Sequence, residues 1–476
     1  MKTGMQIPNI RDYAGKRIHL IGIGGSSMSG LAEMLLDQGY AVTGSDRSDG
    51  YLLDGLREKG IRVYVGHAAE NVHGADLVVY SGAISAENPE RAECARLGIP
   101  TMERSVLLGQ LMDGHQWSVG VCGAHGKTTT TAMLSQMLLE LDMDPSIHIG
   151  GRLDAIGGST RVGHSEIFVS EACEFRRSFL EMRPTMAVVL NIDADHLDCY
   201  RDIDEIEETF GKYMDSVPAG GVVVGNGDDP RIVRQMQHVR GKKVTFGFGD
   251  ACTYHPSGYQ EDEKGCPGFV FMREDRELCR VQLQVAGRFN ALNAMAALSA
   301  VCELGADMEK AGKILSDFRG VHRRFEKTDE IDGVEIFHDY GHNPAEMRNA
   351  LSVGRKRCRG RLIAVMQPHT FSRVRALFED YLTCCEAADL VLVTDICAAR
   401  EADPGDLNSG MLVEGMKKHG LNAVWTPSFD DTEAYLRAHW QSGDLVLTMG
   451  CGDINMLNSQ IHRHEMESGR KQEAKS

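Results

Sequence analysis

The segment WSVGVCGAHGKTTTTAMLSQMLLELD (117–142) decides the fold of this chain. It consists of an apolar strand pattern, a short glycine loop and a helix pattern. A glycine loop in that position exposes backbone N–H groups at the positive end of the helix dipole, so it cradles phosphate groups. The segment therefore predicts an α/β protein with a phosphate site between a strand and a helix.

The loop GAHGKTTTT (123–131) departs from the strict phosphate-loop pattern, because Val121 stands where the first glycine belongs. We expect Lys127 to reach the β- and γ-phosphates of a nucleotide and the Thr128 hydroxyl to bind Mg²⁺. A glycine turn with a surface lysine is the structural alternative. The residues predicted to bind the phosphates are Gly123, Ala124, His125, Gly126, Lys127, Thr128 and Thr129.

A second glycine loop, GIGGSSMSG (22–30), also follows an apolar strand and opens a helix, and Asp46 ends the next strand. The alternation of strand and helix predicts a parallel, Rossmann-like sheet. The loop nearly matches the dinucleotide fingerprint, but Ser27 occupies the position of its third glycine. Such a loop suits any diphosphate, so NAD does not follow from it, and a tight turn without a ligand stays an alternative.

Acidic residues follow two further strands of the central segment. Glu171 comes directly after EIFVS, and DADHLD (193–198) comes after TMAVVLNI. In a parallel sheet both lie at the same edge, near Lys127, where carboxylates suit Mg²⁺. A surface acid that caps a helix is the alternative for Glu171, and His196 alone is more typical of a packed or capping side chain.

Polar motifs also follow apolar strands in the last third of the chain, at HDYGHNP (338–344) and QPHTFSRVR (367–375). Arginine there suits the clamping of a carboxylate or a phosphate, with a solvated or salt-bridged face as the alternative. GRFNALNA (287–294) places two amides on one helical face, suited to an adenine edge or to local capping. The candidates are Asn290, Asn293, Arg323, Arg324, Asp339, Tyr340, His342, His369, Arg373 and Arg375.

The strand–helix pattern restarts twice, which predicts an α/β chain of three domains over 1–112, 113–320 and 321–476. The Gly- and charge-rich stretch 248–282 is predicted to be antiparallel or looping. The last residues, 462–476, are predicted to form a solvated tail.

Composition excludes several classes of protein. The 476 residues are 42% hydrophobic and carry a net charge of −17, so a general nucleic-acid binder is not expected. No stretch approaches the roughly 18 apolar residues of a membrane span, and no secretory signal is visible. The 13 cysteines are scattered, which favours reduced thiols in a cytoplasmic enzyme.

Together these motifs resemble the Mur ligase family over about residues 15–457. Two stretches, GIGGSSMSGLAEML and GHAAENVHGADLVVYSGAI, are similar to its alanine-adding branch and to a close recycling relative. The motifs that carry the resemblance are GIGGSSMSG, QGYAVTGSD, GHAAENVHGADLVVYSGAI, GAHGKTTTT, NIDADHLD, GRFNALNA, HRRFE, DYGHNP, QPHTFSR and MGCGDI.

The resemblance implies an N-terminal Rossmann-like domain that binds a UDP substrate, a central P-loop-type ATPase domain and a C-terminal Rossmann-like domain. It implies ATP-dependent amide formation with Mg²⁺, in which the carboxylate of UDP-N-acetylmuramate forms an acyl phosphate that L-alanine then attacks. That reaction belongs to peptidoglycan precursor synthesis. The oligomeric state is open, with a homodimer among the options.

The resemblance also implies roles for individual residues. His196 and Glu171 bind magnesium, Asn290 and Asn293 face adenine, and Arg324 and Asp339 contact the rest of ATP. The implied catalytic and amino-acid-binding residues are Lys127, Tyr340, His342, His369 and Arg373. The implied UDP-substrate residues are Gly24, Gly25, Ser26, Ser27, Met28, Ser29, Asp46, His67, Ser81, Gly82 and Ala83.

Several positions depart from the family pattern, and they leave alternatives open. His338 and Asn343 stand nearest the incoming amino acid, so glycine or serine stays an option beside alanine. The alternative functions are a murein-recycling ligase that attaches a tripeptide, an NAD-dependent oxidoreductase and a catalytically silent nucleotide-binding regulator. The other departures are Gly82 for Ser, Ala124 for Thr, Cys173 for Asp and Phe289 for His.

Overall fold

The computed structural model describes residues 7–194, 199–399 and 401–473. The chain forms three α/β domains, each built around its own sheet, as the alternating pattern predicts. Within the described ranges, no helix combines the length and the apolar character needed to cross a membrane.

The N-terminal domain has a parallel five-stranded sheet with helices between its strands. Its strands are β1 (Arg17–Ile21), β2 (Ala41–Asp46), β3 (Arg62–Val65), β4 (Leu77–Tyr80) and β5 (Thr101–Glu103). Its helices are α1 (Ser26–Asp37), α2 (Tyr51–Glu58), α3 (Pro89–Leu97) and α4 (Arg104–Met112), with short 3₁₀ turns at Ile10–Tyr13 and Ala69–Val72. The strand order β3-β2-β1-β4-β5 places the loop between β1 and α1 at the point where the order reverses, the usual ligand crevice of such sheets.

The central domain holds a ten-stranded sheet whose middle is parallel. Its strands are β6 (Trp117–Cys122), β7 (Ser146–Leu153), β8 (Gly158–Arg161), β9 (Ile167–Glu171), β10 (Met186–Val189), β11 (Val222–Asn226), β12 (Lys242–Phe246), β13 (Tyr254–Glu261), β14 (Pro267–Arg273) and β15 (Arg276–Gln282). Its helices are α5 (Lys127–Glu140), α6 (Ile203–Asp215), α7 (Pro230–Met236), α8 (Arg288–Glu303) and α9 (Met308–Ser316), with 3₁₀ segments at Asp154–Ile156 and Phe175–Glu181.

The order of this sheet is β15-β14-β13-β12-β11-β10-β6-β9-β7-β8. Strands β13 to β15 pair antiparallel, which confirms the antiparallel prediction for 248–282. Strand β6 lies between β9 and β10, so the loop after β6 meets the ends of both neighbours.

The C-terminal domain has a six-stranded sheet in the order β16-β17-β21-β18-β19-β20, in which only β16 is antiparallel. The strands are β16 (Glu326–Ile331), β17 (Val334–Asp339), β18 (Leu362–Met366), β19 (Leu390–Val393), β20 (Ala423–Trp425) and β21 (Leu445–Met449). The helices are α10 (Pro344–Arg357), α11 (Phe371–Ala376), α12 (Phe378–Tyr381), α13 (Ser409–Lys418), α14 (Phe429–His439) and α15 (Asn455–Glu473).

One apolar cluster joins the N-terminal and central domains. It contains Leu108 and Leu111 of α4 together with Phe179 and Phe210 of the central domain, all of them buried. Burial of apolar side chains from both sides helps to hold the two domains together.

The stretch predicted as a solvated tail is exposed at His462, Arg463 and His464, as predicted, but it is helical, because α15 continues through it to Glu473. Polar side chains on this stretch pair with the rest of the domain: His462 lies 2.8 Å from Asp329, and His464 lies 3.0 Å from Glu433. These pairings span more than 30 positions in sequence, so the local pattern does not reveal them.

Candidate active site

The phosphate loop between β6 and α5 is held by the end of a neighbouring strand. The backbone N–H of His125 donates to Asn191 Oδ1 at 2.8 Å, and Asn191 Nδ2 donates back to His125 O at 3.0 Å. Asn191 was not among the residues predicted from sequence. Its position directly after an apolar strand, and before the acidic run, was the available signal.

Lys127 begins helix α5 and points back over the loop. Its ammonium group donates to Glu174 Oε1 at 2.9 Å and to Ala124 O at 3.1 Å. Burial alone would lower the pKa of Lys127, but Glu174 and other nearby acids outweigh that and raise it above its ordinary value. The ion-pair partner Glu174 is buried, and sequence analysis did not single it out.

Glu171 and Thr128 lie together at the sheet edge, as the parallel topology predicts. Glu171 Oε1 accepts the Gly150 N–H at 2.7 Å, and a Cβ at Gly150 would lie only 2.8 Å from Glu171 Oε2. Burial raises the pKa of Glu171, while Gly150, the Thr128 hydroxyl and Lys127 oppose that shift. A desolvated carboxylate beside a hydroxyl is a suitable pair of oxygen ligands for a cation.

His196, the other predicted metal ligand, lies outside the described residues. Among the residues that are described, no group of three or more His, Cys, Asp or Glu side chains is arranged to hold a metal ion. Magnesium commonly takes one or two protein ligands and completes its shell with phosphates and water, so the pair at Thr128 and Glu171 suits that cation.

The two asparagines of α8 meet the phosphate loop. Asn293 Nδ2 donates to Asn290 Oδ1 at 3.1 Å, and Asn290 Nδ2 donates to Ala286 O at 2.8 Å. A Cβ at Gly126 would lie 2.4 Å from Asn293 Oδ1, so this amide rests directly on the loop. Both side chains are buried, whereas Phe289, which directly precedes Asn290, is exposed.

His125 connects the phosphate loop to the C-terminal domain. Its Nε2 lies 3.2 Å from Asp193 Oδ2, and its Nδ1 lies 3.5 Å from Glu346 Oε1 of α10. Burial lowers the pKa of His125, but the two carboxylates outweigh it and raise the pKa to about 9. The imidazole is therefore charged at neutral pH and links two domains across the loop.

Glu346 also belongs to the cluster predicted to receive the amino acid. Its Oε2 accepts the His342 backbone N–H at 3.0 Å and lies 3.3 Å from His342 Nδ1. Arg373 donates to His369 Nδ1 at 3.2 Å, and the rings of His342 and His369 are 6.2 Å apart. The Tyr340 ring lies 5.8 Å from that of His342, so the four predicted residues form one cluster.

Arg324 and Asp339 flank this cluster on the side of the central domain. The Asp339 carboxylate accepts the N–H groups of Phe325 at 2.8 Å and Gly341 at 2.7 Å, and its burial raises its pKa. The Arg324 guanidinium lies 5.0 Å above the Tyr340 ring. Its charge opposes the rise that burial causes in the pKa of Glu171, and it contributes to the lowered pKa of Glu346. Arg324 therefore lies between Glu171, which is next to the phosphate loop, and the cluster predicted to receive the amino acid.

Two departures from the family pattern have structural roles. Asn343 caps α10 by accepting the Glu346 N–H at 2.9 Å. His338 is buried, with Nδ1 3.0 Å from Thr448 Oγ1, while its Nε2 accepts from Arg323 at 3.1 Å. Burial and the charge of Arg323 lower the pKa of His338 to about 3, so it is a neutral packed residue.

The N-terminal glycine loop opens α1 at Ser26. The Gly24 N–H donates to Asp46 Oδ2 at 2.8 Å, so Asp46, one of the implied UDP-substrate residues, holds the loop itself in this structure. Met28 and Ser29 are buried, and the Ser29 N–H already donates to Gly25 O at 2.9 Å, so of these two residues Met28 is the one whose backbone N–H suits a ligand. The free N–H groups at the start of α1 suit an anion.

The other predicted UDP-substrate residues lie at the same sheet edge. His67 Nδ1 is 3.3 Å from Ser45 Oγ and 3.6 Å from the buried Glu90. The turn that contains Ser81, Gly82 and Ala83 follows β4 and borders a cavity of about 400 Å³. Arg176 of the central domain donates to Gly82 O at 3.0 Å. This set of assignments stays a prediction.

Two cysteines beside the site are expected to resist alkylation. Cys122 directly precedes the phosphate loop, and Cys173 lies two residues after Glu171. Burial raises the pKa of Cys173 to about 11 and that of Cys122 well above its ordinary value. Because the thiolate is the reactive form, iodoacetamide at pH 7.5 should leave most activity intact over the first hour. Rapid inactivation that Mg·ATP slows would contradict this expectation.

Taken together, the geometry defines a three-domain α/β protein with a phosphate-type glycine loop beside a cluster of histidine and arginine side chains. Three family models match the chain in order. They are the Mur ligase family, catalytic domain, over 17–116; the Mur ligase middle domain over 121–301; and the Mur ligase, glutamate ligase domain, over 323–452. The chain belongs to the Mur ligase family, as the sequence motifs indicate.

Curated relatives support the same family over nearly the full length. The UDP-N-acetylmuramate--L-alanine ligase of Acetivibrio thermocellus is 42% identical over 440 residues, which cover 92% of this chain and 94% of that protein. The protein of the same name from Clostridium beijerinckii is 41% identical over 447 residues, 94% of this chain and 97% of that protein.

Solved structures show the same fold. UDP-N-acetylmuramate-alanine ligase MurC from Thermotoga maritima has a TM-score of 0.80 and 26% identity, and the match covers 95% of this chain and all of that one. A murein peptide ligase from Psychrobacter arcticus has a TM-score of 0.70 at 22% identity, with 94% and 98% covered. The second likeness shows the fold alone.

Proposed function

We propose that the protein is an ATP-dependent ligase that joins L-alanine to the lactyl carboxylate of UDP-N-acetylmuramate, a step of peptidoglycan precursor synthesis. The observation that carries this proposal is the position of Glu346. One of its carboxylate oxygens faces His125 of the phosphate loop, and the other faces His342 of the amino-acid cluster. Glu346 therefore brings the phosphate loop and the amino-acid cluster next to each other, where the transferred phosphate and the incoming amino acid are proposed to bind. The curated relatives of this chain carry the matching name.

The chemistry follows from the charges around that place. The lactyl carboxylate attacks the γ-phosphorus of ATP, which forms a C–O–P acyl phosphate and releases ADP. Lys127 and Arg324 are cations beside the transferred group and stabilise the charge on its oxygens. The alanine amine then attacks the acyl carbon, the C–O bond to phosphate breaks, and the amine loses a proton as the amide forms.

Mg²⁺ belongs to this proposal and fits the residues present. Thr128 and Glu171 supply the oxygen ligands, and the raised pKa of the buried Glu171 marks a carboxylate that a cation would stabilise in its charged form. When bound, the ion would neutralise negative charge on the ATP phosphates. His196 is proposed as a further ligand on the family resemblance alone.

The residue limits of the three domains (1–112, 113–320 and 321–476) and a cytoplasmic location are part of the same proposal. The thirteen cysteines are scattered along the chain without a C-x-x-C pair, which favours reduced thiols in a reducing compartment. The boundary near residue 320 is crossed by polar side-chain contacts such as that of His125 with Glu346, which suits separate domains on its two sides.

Phosphate release from ATP tests the proposed function. Release should require UDP-N-acetylmuramate and be fastest with L-alanine, with glycine and serine slower by a modest factor, because one methyl group is worth about 1–3 kcal/mol. UDP-N-acetylglucosamine, which lacks the lactyl carboxylate, is the matched control and should support no release. Faster turnover with a tripeptide than with L-alanine would favour the recycling ligase instead.

The charged link at His125 predicts a pH-dependent stability. A histidine whose folded pKa is raised from 6.5 to about 9 stabilises the fold fully below pH 6.5, and this contribution is lost as the pH rises through 9. The shift corresponds to about 3 kcal/mol. Urea unfolding of His125→Gln should therefore show a smaller loss of stability between pH 6.5 and 9 than the parent protein shows.

The exposed His238 provides the control for this experiment. His238→Gln should leave the pH dependence of unfolding as it is in the parent protein. Parallel stability curves for the parent protein and His125→Gln across the same pH range would contradict the assigned link.

A further inference from the structure

A chain of hydrogen bonds connects the first turn of α1 to the strand that carries Glu171. Arg104, the first residue of α4, donates from Nη1 to Ser27 Oγ at 2.9 Å. Ser27 Oγ is 2.8 Å from His148 Nε2, and His148 Nδ1 is 3.4 Å from Ser170 Oγ. The Ser170 hydroxyl donates to the Glu171 carbonyl at 3.0 Å. The chain therefore runs from the N-terminal domain into the central domain.

The hydrogens in this chain have one consistent direction. Because the Ser170 hydroxyl donates to Glu171 O, its oxygen accepts from His148 Nδ1–H. Burial, and next the charge of Arg104, lower the pKa of His148 to about 4, so the imidazole is neutral and its Nε2 is an acceptor. The Ser27 hydroxyl then donates to His148, and its lone pair faces Arg104. His148 thereby fixes the orientation of the Arg104 guanidinium.

Most of the hydrogen-bonding capacity of Arg104 is unused. A guanidinium has five N–H donors, and only one is engaged with the rest of the described chain. No carboxylate in the described ranges lies within 4.0 Å of it, and the Glu103 carboxylate is directed at Gly82 instead. Burial lowers the pKa of Arg104. A desolvated cation with open donors is costly unless an anion pairs with it.

The surroundings of Arg104 favour the binding of an anion and are themselves held rigidly. Ser27 lies in the first turn of α1 and Arg104 in that of α4, so two helix N-termini meet there. Helix α1 packs so closely on β8 that a Cβ at Gly30 would lie 1.8 Å from Thr160 Oγ1. Ser159 Oγ also donates to the Ser26 carbonyl at 3.2 Å. The first turn of α1, which contains Ser27, is therefore packed tightly between the N-terminal and central domains.

We infer that Arg104 binds an anionic oxygen group of the nucleotide-linked substrate, and that His148 is a positioning residue that acts through Ser27. The identity of the ligand rests on the proposed function. Two groups of UDP-N-acetylmuramate share the required chemistry. They are its diphosphate, which suits the start of α1, and its lactyl carboxylate, which must approach the loop of Lys127 and Glu171.

Calorimetric titration of the full chain with UDP, UDP-N-acetylglucosamine and UDP-N-acetylmuramate tests the inference. Arg104→Gln should raise the Kd by about 30-fold or more, because charge-assisted hydrogen bonds are lost. The Kd of Arg104→Lys should lie between those of Arg104→Gln and the parent protein. An equal rise for all three ligands assigns the diphosphate, and a rise for UDP-N-acetylmuramate alone assigns the carboxylate. Unchanged Kd values for all three, in variants that unfold at the parent temperature, overturn the inference.

The role of His148 is tested by a pair of substitutions. His148→Gln keeps an acceptor for the Ser27 hydroxyl and should restore the parent Kd to within about threefold, whereas His148→Leu should raise it about tenfold. The KM for ATP should stay within about threefold in both. Equal Kd values for His148→Leu and the parent protein would overturn the positioning role.

Arg96→Ala is the matched control, since Arg96 is an exposed arginine of the same domain that pairs with Glu93. Its Kd for each ligand should equal that of the parent protein. A parent protein that binds none of the three ligands would overturn the proposed function itself, and this result is distinct from normal binding that Arg104→Gln leaves unchanged.

Discussion

Replacing Lys127 with alanine is expected to lower the rate of ATP-dependent phosphate release by at least about 1,000-fold. Phosphoryl transfer depends on positioning and on neutralisation of the charge that develops on the phosphate oxygens. Lys127 is the ammonium group at the start of α5, directly over the phosphate loop, and it is charged at neutral pH. Steady-state kinetics with saturating UDP-N-acetylmuramate and L-alanine measures the effect.

The same substitution should also destabilise the protein, because it removes one member of a buried ion pair. The loss of one partner from such a pair, here Lys127 beside Glu174, typically costs about 3–5 kcal/mol. The double variant Lys127→Ala with Glu174→Gln should recover most of this stability and none of the activity. That comparison separates the catalytic role from the structural one.

The exposed Lys310 supplies a control for the loss of an ammonium group at a surface pair. Lys310→Ala should change neither activity nor stability appreciably. Activity of Lys127→Ala within tenfold of the parent protein would contradict the assignment of this loop to the transferred phosphate.

The placement of the phosphate loop and of Glu171 was predictable from sequence. Both follow strands with a clear apolar pattern, and parallel strands end at a common sheet edge. The structure bears this out, since the Thr128 hydroxyl is among the groups that lower the pKa of Glu171. Alternation of strand and helix was enough to give the three-domain fold.

The partners of these groups were not predictable in the same way. Glu346 approaches His125 from another domain, 221 positions further along the chain, and nothing near either residue signals the contact. Asn191 and Glu174 act through side-chain geometry that depends on how neighbouring strands pack. Periodicity describes which face of an element is buried, but not which polar groups meet across it.

The sequence also did not show which of the candidate arginines form salt bridges and which contact a ligand. The structure separates them: Arg375 pairs with Asp406 at 2.7 Å on an exposed surface. Within the described part of the chain, Arg324 and Arg373 have no carboxylate within 4.0 Å, although both lie at the site. Arginines that lack an acidic partner in the protein are the ones suited to an anionic ligand.

Replacing Arg373 with lysine is therefore expected to raise the KM for L-alanine by about 30-fold. Arg373 lies on α11 and donates from Nη1 to His369 Nδ1, which leaves most of its donors for a ligand. A planar guanidinium can hold the alanine carboxylate by two parallel hydrogen bonds and so direct the amine at the acyl phosphate, and lysine cannot reproduce this geometry.

The measurement is the KM for each substrate with the other two saturating. The KM values for ATP and UDP-N-acetylmuramate should stay within about threefold of those of the parent protein, because the guanidinium fork is proposed to contact only the amino acid. Arg375→Lys is a closely matched control, since Arg375 lies on the same helix, is exposed and already pairs with Asp406. Equal rises in the KM for ATP and for L-alanine would show that Arg373 shapes the whole site and does not hold the amino-acid carboxylate.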